Sequence, residues 1–245
     1  MAYGFTILVE GDYACFTRPE LKVERVSYDV PTPGALEGML KSIYWKPSMK
    51  YVIDRIVVMK PIKFVNIRRN EVKRKIPFSK VKKQMKDSKY DISIYTSDDE
   101  QIHQRAAMVL KDVKYGISFH FELTNKKNER ENVNPEEKHF SIIKRRLEKG
   151  QHFRTPCLGC SEFPVRKIEL VEQIDESEIS EDIIEMGDVD LGFMSYRVNF
   201  EDEGNPINKD WDNPIFSDKA TTLYYRPHMI NGIIDVGKYR EGMVC

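Results

Sequence analysis

Between positions 115 and 123 every second residue is large and apolar: Tyr115, Ile117, Phe119, Phe121 and Leu123. Successive side chains of a strand point to opposite faces, so this alternation specifies one apolar face and one more polar face. Such a strand is stable only within a sheet that has something packed on its apolar side. A candidate for that role follows in sequence. Asn134-Pro135-Glu136-Glu137 opens a helix, with Asn at the cap, Pro in the first turn, and acids where the helix dipole favours them. Phe140, Ile143 and Leu147 share one face of it, Ile142 widens the stripe, and Gly150 stops it after about Lys149.

The N-terminal end has the same two ingredients. Tyr3, Phe5, Ile7 and Val9 alternate, and Gly11-Asp12 ends the strand. Pro31-Thr32-Pro33 then opens a helix through about Tyr44, with Thr32 as the cap. Leu36, Met39, Leu40 and Ile43 recur at helical spacing, and Pro47 lies just beyond. Tyr51–Val58 reads as a buried strand with Pro61 at its edge, and Asp98–Leu110 as a short helix. The order is β-α-β, an insertion, then β-α. This predicts an α+β, ferredoxin-like (RRM-like) domain over residues 1–155, interrupted by an inserted hairpin at about 62–97. Past Gly150 the apolar runs shorten (Val165–Val171, Gly192–Phe200, Thr221–Tyr225, Ile230–Val236), which predicts a smaller, mostly antiparallel β domain over 156–245.

The formal net charge of zero hides a partition. Residues 1–150 carry 30 basic and 20 acidic residues, and residues 151–245 carry 9 and 19. Twelve basic residues fall between Lys60 and Lys89, against Glu71 and Asp87 alone. Arg68, Arg69, Lys73, Arg74 and Lys75 form the densest run, interleaved with Phe64, Asn66, Phe78 and Tyr90. Cations among aromatics suit phosphate neutralisation plus base stacking. The same surface would also suit an acidic protein, or the chain's own acidic tract, where Glu169–Asp190 holds ten carboxylates and no Lys or Arg.

Hydrophobic residues make up 40% and charged residues 32% of the 245, which excludes a disordered or fibrous class. No apolar run approaches 18 residues, and Met1–Glu10 lacks the basic start and cleavage site of a signal peptide. Four cysteines make no disulfide framework, and a reducing cytoplasm is expected. Cys157-Leu158-Gly159-Cys160 has zinc-knuckle spacing, but no second Cys or His pair stands near it, so loop thiols are expected rather than a metal site. The phosphate-cradling, dinucleotide and serine-hydrolase motifs are absent. No cofactor and no metal are expected.

Lys138-His139 sits in the first turns of the Asn134-Pro135 helix. A helix N-terminus attracts phosphate, an imidazole transfers protons near neutral pH, and an ammonium stabilises developing negative charge. Tyr44-Trp45-Lys46 closes the first helix as either a stacking platform or core. His120, within the alternating strand, reads as a satisfied, partly buried histidine.

Several longer stretches resemble one family. They are Gly11-Asp12-Tyr13-Ala14-Cys15-Phe16-Thr17-Arg18-Pro19-Glu20, Ser27-Tyr28-Asp29-Val30-Pro31-Thr32, Ser42-Ile43-Tyr44-Trp45-Lys46-Pro47, Leu110-Lys111-Asp112-Val113, Lys138-His139-Phe140-Ser141-Ile142 and Leu158-Gly159-Cys160-Ser161-Glu162-Phe163. Together they resemble the CRISPR-associated "Cas-five" proteins of type I-C, the d variant, over nearly the whole chain; Ser161 departs from the family's arginine. The resemblance implies a ribonuclease that cleaves CRISPR precursor RNA within the repeat hairpin without a metal. The enzyme would then stay on the 5′ handle of the crRNA beside the backbone and large subunits of the type I-C surveillance complex. It further implies Tyr44, Lys138 and His139 as catalytic residues. With it, Trp45, Lys46, Arg68, Arg69, Lys73, Arg74 and Lys75 are expected at the RNA. Two other readings remain open: a structural subunit that holds the handle without cutting, and a metal-dependent nuclease acting on DNA.

Overall fold

The computed structural model describes residues 4–21, 23–95, 97, 99–124, 135–202, 206–210 and 213–244. Its frame is one antiparallel sheet. In chain order the elements that build the candidate site are β1 (Gly4–Ala14), α1 (Pro33–Ile43), β2 (Met49–Val58), β3 (Phe64–Val72), α2 (Phe78–Lys86), β4 (Ile102–Leu123), α3 (Pro135–Lys149) and β5 (Lys167–Val171). Then come α4 (Glu181–Ile184), β6 (Asp188–Asp190), β7 (Met194–Phe200), β8 (Ala220–Tyr225), β9 (His228–Ile230) and β10 (Ile233–Asp235).

The alternating stretch is the second half of β4, a 22-residue strand at the centre of the sheet. β1 pairs along one edge of it, from Gly4↔His120 to Ala14↔Leu110. β2 pairs along the other, from Met49↔Leu123 to Val58↔Tyr115. The sheet order is β5-β1-β4-β2-β10-β9-β6, so strands from 156–245 extend both edges and the sheet crosses the boundary expected at 155/156. β7 and β8 form a separate two-stranded sheet.

Tyr115, Ile117, Phe119 and Phe121 are buried, as their alternation requires, whereas Leu123 at the strand's end is exposed. α1 buries Leu36, Met39, Leu40 and Ile43, and α3 buries Ile143 and Leu147. Each such side chain contributes about 1.5–3 kcal/mol by leaving water. Phe5 of β1 links sheet to helix, its ring centroid 5.6 Å from Phe119 and 4.9 Å from Phe140 of α3. α1 begins where its sequence says: Thr32 Oγ1 accepts from Ala35 N at 3.3 Å, and Pro33 takes the first turn. The cap expected at Asn134 lies outside the described residues. Gly150 ends α3 with φ +62°, a left-handed conformation that glycine adopts at no steric cost.

The first half of β4 corrects the short helix expected at Asp98–Leu110. A single helical turn spans Asp99–Gln101, and from Ile102 the chain is extended, paired with β3 from Val72↔Ile102 to Phe64↔Leu110. Pairing decides it: Ala107 and Val109 are buried against Val65, Ile67, Cys15 and Phe163, a small second core that a helix would disperse. Of the insertion expected at about 62–97, β3 is the first strand of this β3–β4 ribbon, but its partner, residues 102–110, lies beyond the expected end. The ribbon's connecting segment carries α2, whose Phe78, Val81 and Met85 recur at helical spacing but which buries no residue.

Candidate active site and basic hairpin

α1 stops at Ile43, and Tyr44 takes an extended conformation (φ −152°, ψ 134°) while its N–H still donates to Leu40 O. That change of direction swings the phenol inward. Tyr44 Oη lies 2.9 Å from His139 Nδ1, and His139 Nε2 lies 3.1 Å from Ser48 Oγ. Tyr44 is 4% exposed and His139 0%. The turn is held from several directions. Tyr51 Oη donates to Tyr44 O at 2.8 Å, and burial pushes the Tyr51 hydroxyl well above its usual range, so it remains a donor. Arg146 of α3 donates to Ile43 O, one of the carbonyls a helix end leaves over, with its guanidinium 5.3 Å from the Tyr44 ring centroid. Thr124 N donates to Ser48 O at 2.9 Å, and Thr124 Oγ1 donates to Pro47 O at 2.6 Å.

The structure therefore brings Tyr44 and His139 together from segments 95 residues apart. It also turns the imidazole away from the phosphate position expected at the N-terminus of α3. His139 faces Tyr44, Ser48 and Phe121, whose ring centroid is 6.1 Å away. Lys138 is half-buried beside it. Of the Tyr44-Trp45 pair, Tyr44 is core and Trp45 is exposed, with Lys46 exposed next to it. A tyrosine that hydrogen-bonds a histidine, itself held by a serine, can pass a proton in either direction. Which hydrogen each partner holds follows the tautomer.

Sequence reasoning does not single out Ser48, Tyr51 or Arg146. Ser48 stands one residue past the Tyr44-Trp45-Lys46-Pro47 run, and its only signal is that proximity. Arg146 reads in sequence as one of many helix cations. His120 is satisfied, as expected: its Nδ1 lies 2.8 Å from Asp54 Oδ2, and Arg240 donates to the same carboxylate.

Arg68 and Arg69 lie on β3, and Lys73, Arg74 and Lys75 follow it towards α2. All are exposed except Arg69, which pairs with Glu162 of the Leu158–Phe163 motif; Glu162 also accepts from Arg25 at 3.1 Å. α2 adds Lys82 over the Phe78 ring, 4.8 Å from its centroid. The acidic tract makes its ion pairs elsewhere. Glu176 pairs with Arg55 at 2.6 Å, Glu178 with Lys114 at 2.6 Å, and Asp190 with Arg226 at 2.5 Å. Those contacts lie along the sheet, away from the hairpin. Among the described residues, no three of His, Cys, Asp or Glu are grouped to hold a metal ion. No described helix is long and apolar enough to cross a membrane.

The fold, a large antiparallel sheet with few helices, is shared with solved structures. A solved structure described as a CRISPR-associated protein superposes with a TM-score of 0.57 at 22% identity, covering 96% of this chain and 91% of that one. The Streptococcus mutans protein SMU1763c, described as functionally uncharacterized, gives 0.59 at 22% identity over 95% and 91%. The chain belongs to the Cas5d family: the model for this family, described as CRISPR-associated protein (Cas_Cas5), matches residues 5–237. A Mannheimia succiniciproducens protein named CRISPR pre-crRNA endoribonuclease Cas5d is 43% identical over 236 residues, 96% of each chain. A Thermus thermophilus protein of the same name is 35% identical over 204 residues, 82% of this chain and 76% of the relative.

Proposed function

We propose that this chain is a metal-independent pre-crRNA endoribonuclease that cuts within the CRISPR repeat hairpin. It then keeps the 5′ handle as a subunit of the type I-C surveillance complex. The observation that carries the reading is the Tyr44–His139–Ser48 chain of contacts, in a protein similar along its length to relatives that bear the endoribonuclease name. A ferredoxin-like core is part of the proposal. The order β5-β1-β4-β2, all antiparallel, with α1 after its first strand and α3 after its third, supports it.

The 2′-oxygen beside the scissile phosphate attacks phosphorus, and the bond to the 5′-oxygen breaks. The products are a 2′,3′-cyclic phosphate and a 5′-OH. Tyr44 Oη takes the 2′-OH proton as its own passes to His139 Nδ1; the reverse transfer delivers that proton to the leaving 5′-oxygen. His139 exchanges protons with RNA only through Tyr44, because it is enclosed. Lys138 and the N-terminal end of α3 stabilise the added phosphorane charge. The exposed Arg68, Lys73, Arg74 and Lys75 neutralise phosphates of the repeat stem.

One observation favours the second reading, a handle-binding subunit that does not cut: Tyr44 and His139 are both closed off from solvent. A cleavage assay decides. The protein meets its own repeat RNA in excess EDTA, beside a copy with a 2′-deoxy residue at the cut site. Cutting of the first alone supports the ribonuclease; binding without cutting supports the second reading; cutting that EDTA abolishes overturns metal independence.

A further inference from the structure

On the far side of the Tyr44 turn lies a groove that the proton relay does not use. It runs between the exposed face of α1 and the loop 153–161, with a volume of about 550 Å³, within the usual range for ligand sites. Two large aromatics stand at it, exposed to solvent: Trp45 at 48% and Phe153 at 68%. Exposed rings at the edge of a groove carry a hydration cost that a partner relieves. Their backbones are fixed. Phe153 N and Arg154 N both donate to Ser42 O, at 3.2 and 3.3 Å, so the loop is stitched to the last turn of α1. Gly38 also lines the groove, and a Cβ added there would meet nothing within 4 Å. Lys41 and Arg154 line the groove, and its described lining holds no carboxylate.

We propose that this groove is a subsite for one unpaired nucleobase of the bound RNA. The base stacks on Trp45 and Phe153, and Arg154 and Lys41 face the flanking phosphates. The inference rests on the RNA-processing reading above and adds where an unstacked base is held. The chemistry selects this occupant. Aromatic faces accept any base, and protein modules read single-stranded RNA in this way. Arg154 offers a phosphate its charge, and Lys41 adds a second cation whose carboxylate partner Glu37, 3.8 Å away, is itself paired with Arg197. Position selects it too. Tyr44 and Trp45 are consecutive residues whose side chains diverge at the end of α1, the phenol into the relay and the indole into the groove. A base held by the indole therefore anchors the strand at the turn that carries Tyr44.

The test uses Trp45 as its own reporter. The chain has two tryptophans, so Trp211→Phe leaves Trp45 as the one tryptophan, read selectively by exciting beyond the tyrosine absorption band. Titration with the protein's own repeat RNA, 2′-deoxy at the cut site, is expected to quench this fluorescence. Trp45→Ala and Phe153→Ala are expected to weaken that binding about 5- to 150-fold each, the range measured for losing one stacked base. Trp45→Phe keeps a ring and is expected to recover most of the affinity. A series of repeat RNAs with single abasic sites locates the base: one abasic position weakens binding to the wild type but costs nothing further in Trp45→Ala. RNA bound without quenching, with full affinity in both alanine variants, overturns the subsite while leaving the ribonuclease reading intact. So does a loss confined to assembly with another protein subunit. Failure of the wild type to bind repeat RNA at all overturns the reading beneath it.

Discussion

Tyr44 Oη sits 2.9 Å from His139 Nδ1 inside the protein, and the imidazole has no exposed surface. A group so enclosed acts on RNA through its neighbour. The phenol is the member of the pair that a substrate displacing the surface turn would reach first.

Tyr44→Phe keeps the ring, its packing and the Arg146 stacking, and removes only the relay oxygen. Cleavage is expected to fall about 10²- to 10⁴-fold, the range for losing a positioned general acid–base group. Affinity for a 2′-deoxy repeat RNA should stay within about twofold, because phosphate and stacking interactions dominate binding. Single-turnover cleavage beside a filter-binding titration measures both. An equal drop in affinity would mean that Tyr44 holds RNA rather than moves a proton.

Ser48 holds the other end of the imidazole at 3.1 Å and is itself buried. Ser48→Ala removes the hydroxyl that sets the tautomer. The expected cost is about 1–3 kcal/mol in urea denaturation, because a buried ring nitrogen is then left without that hydroxyl. Cleavage should slow with its pH profile displaced, since Tyr44 then faces an imidazole free to change tautomer. Ser48→Thr restores a hydroxyl and should restore the profile; a profile unmoved in Ser48→Ala would make the serine structural only.

The exposed cations of the β3–β4 ribbon predict a salt effect. Removing one cation–phosphate pair lowers the slope of log affinity against log salt by ~0.7–0.9. Replacing Arg68, Lys73, Arg74 and Lys75 together with alanine should reduce that slope by about 3, with little change in thermal unfolding, since all four are exposed. Arg69→Ala is different: it breaks the pair with Glu162 that ties the ribbon to the Leu158–Phe163 segment. A slope that the fourfold variant leaves unchanged would place the RNA elsewhere on the protein.

Much of this is legible in the sequence because the signals are local. The alternation at 115–123, the Thr32-Pro33 start and the Gly150 stop each specify backbone through neighbours a few residues away. The first half of β4 reads as a helix in sequence because its partner strand decides its structure, and a pairing partner is not local information. The inward turn of His139 is hidden for the same reason. A helix start locates a Lys-His pair at a dipole, but only packing against Ser48 and Phe121 decides which way the ring points. The Leu158-Gly159-Cys160 motif gains a cause as well. Gly159 has φ +82°, and a Cβ there would fall 2.0 Å from Cys15 O, so only glycine fits beside β1.

Glu37 predicts how α1 is tied to the β7–β8 sheet. Its side chain is 5% exposed, and Arg197 of β7 reaches it through Nε at 3.1 Å and again through its terminal nitrogen. Arg197→Ala leaves a buried carboxylate with only Lys41, 3.8 Å away, in this ion cluster. The expected loss is about 3 kcal/mol, the lower end for a broken buried pair because Arg197 is itself 30% exposed. Adding Glu37→Gln should recover part of it by removing the stranded charge. Urea midpoints of the single and double variants measure the coupling, and additive losses would refute it.

Cys160 predicts a pH dependence. Its thiol is lowered from the ordinary value of 9.0 to about 6, first by a hydrogen bond from Cys15, then by Thr17 and by the charges of Arg25 and Arg69. The same hydrogen bond, and then burial, push Cys15 up, so Cys15 stays protonated and donates. A folded-state value below the unfolded one means that folding favours the thiolate. Its stabilisation is fully present above about pH 9, shrinks as pH falls, and is lost through pH 6. Iodoacetamide consumes the thiolate, so the rate of Cys160 alkylation in the native protein should rise with a midpoint near pH 6, read by peptide mass spectrometry. Cys15→Ala removes the donor and should move that midpoint up towards the ordinary value. A wild-type midpoint near pH 9 would show that Cys15 does not hold the thiolate.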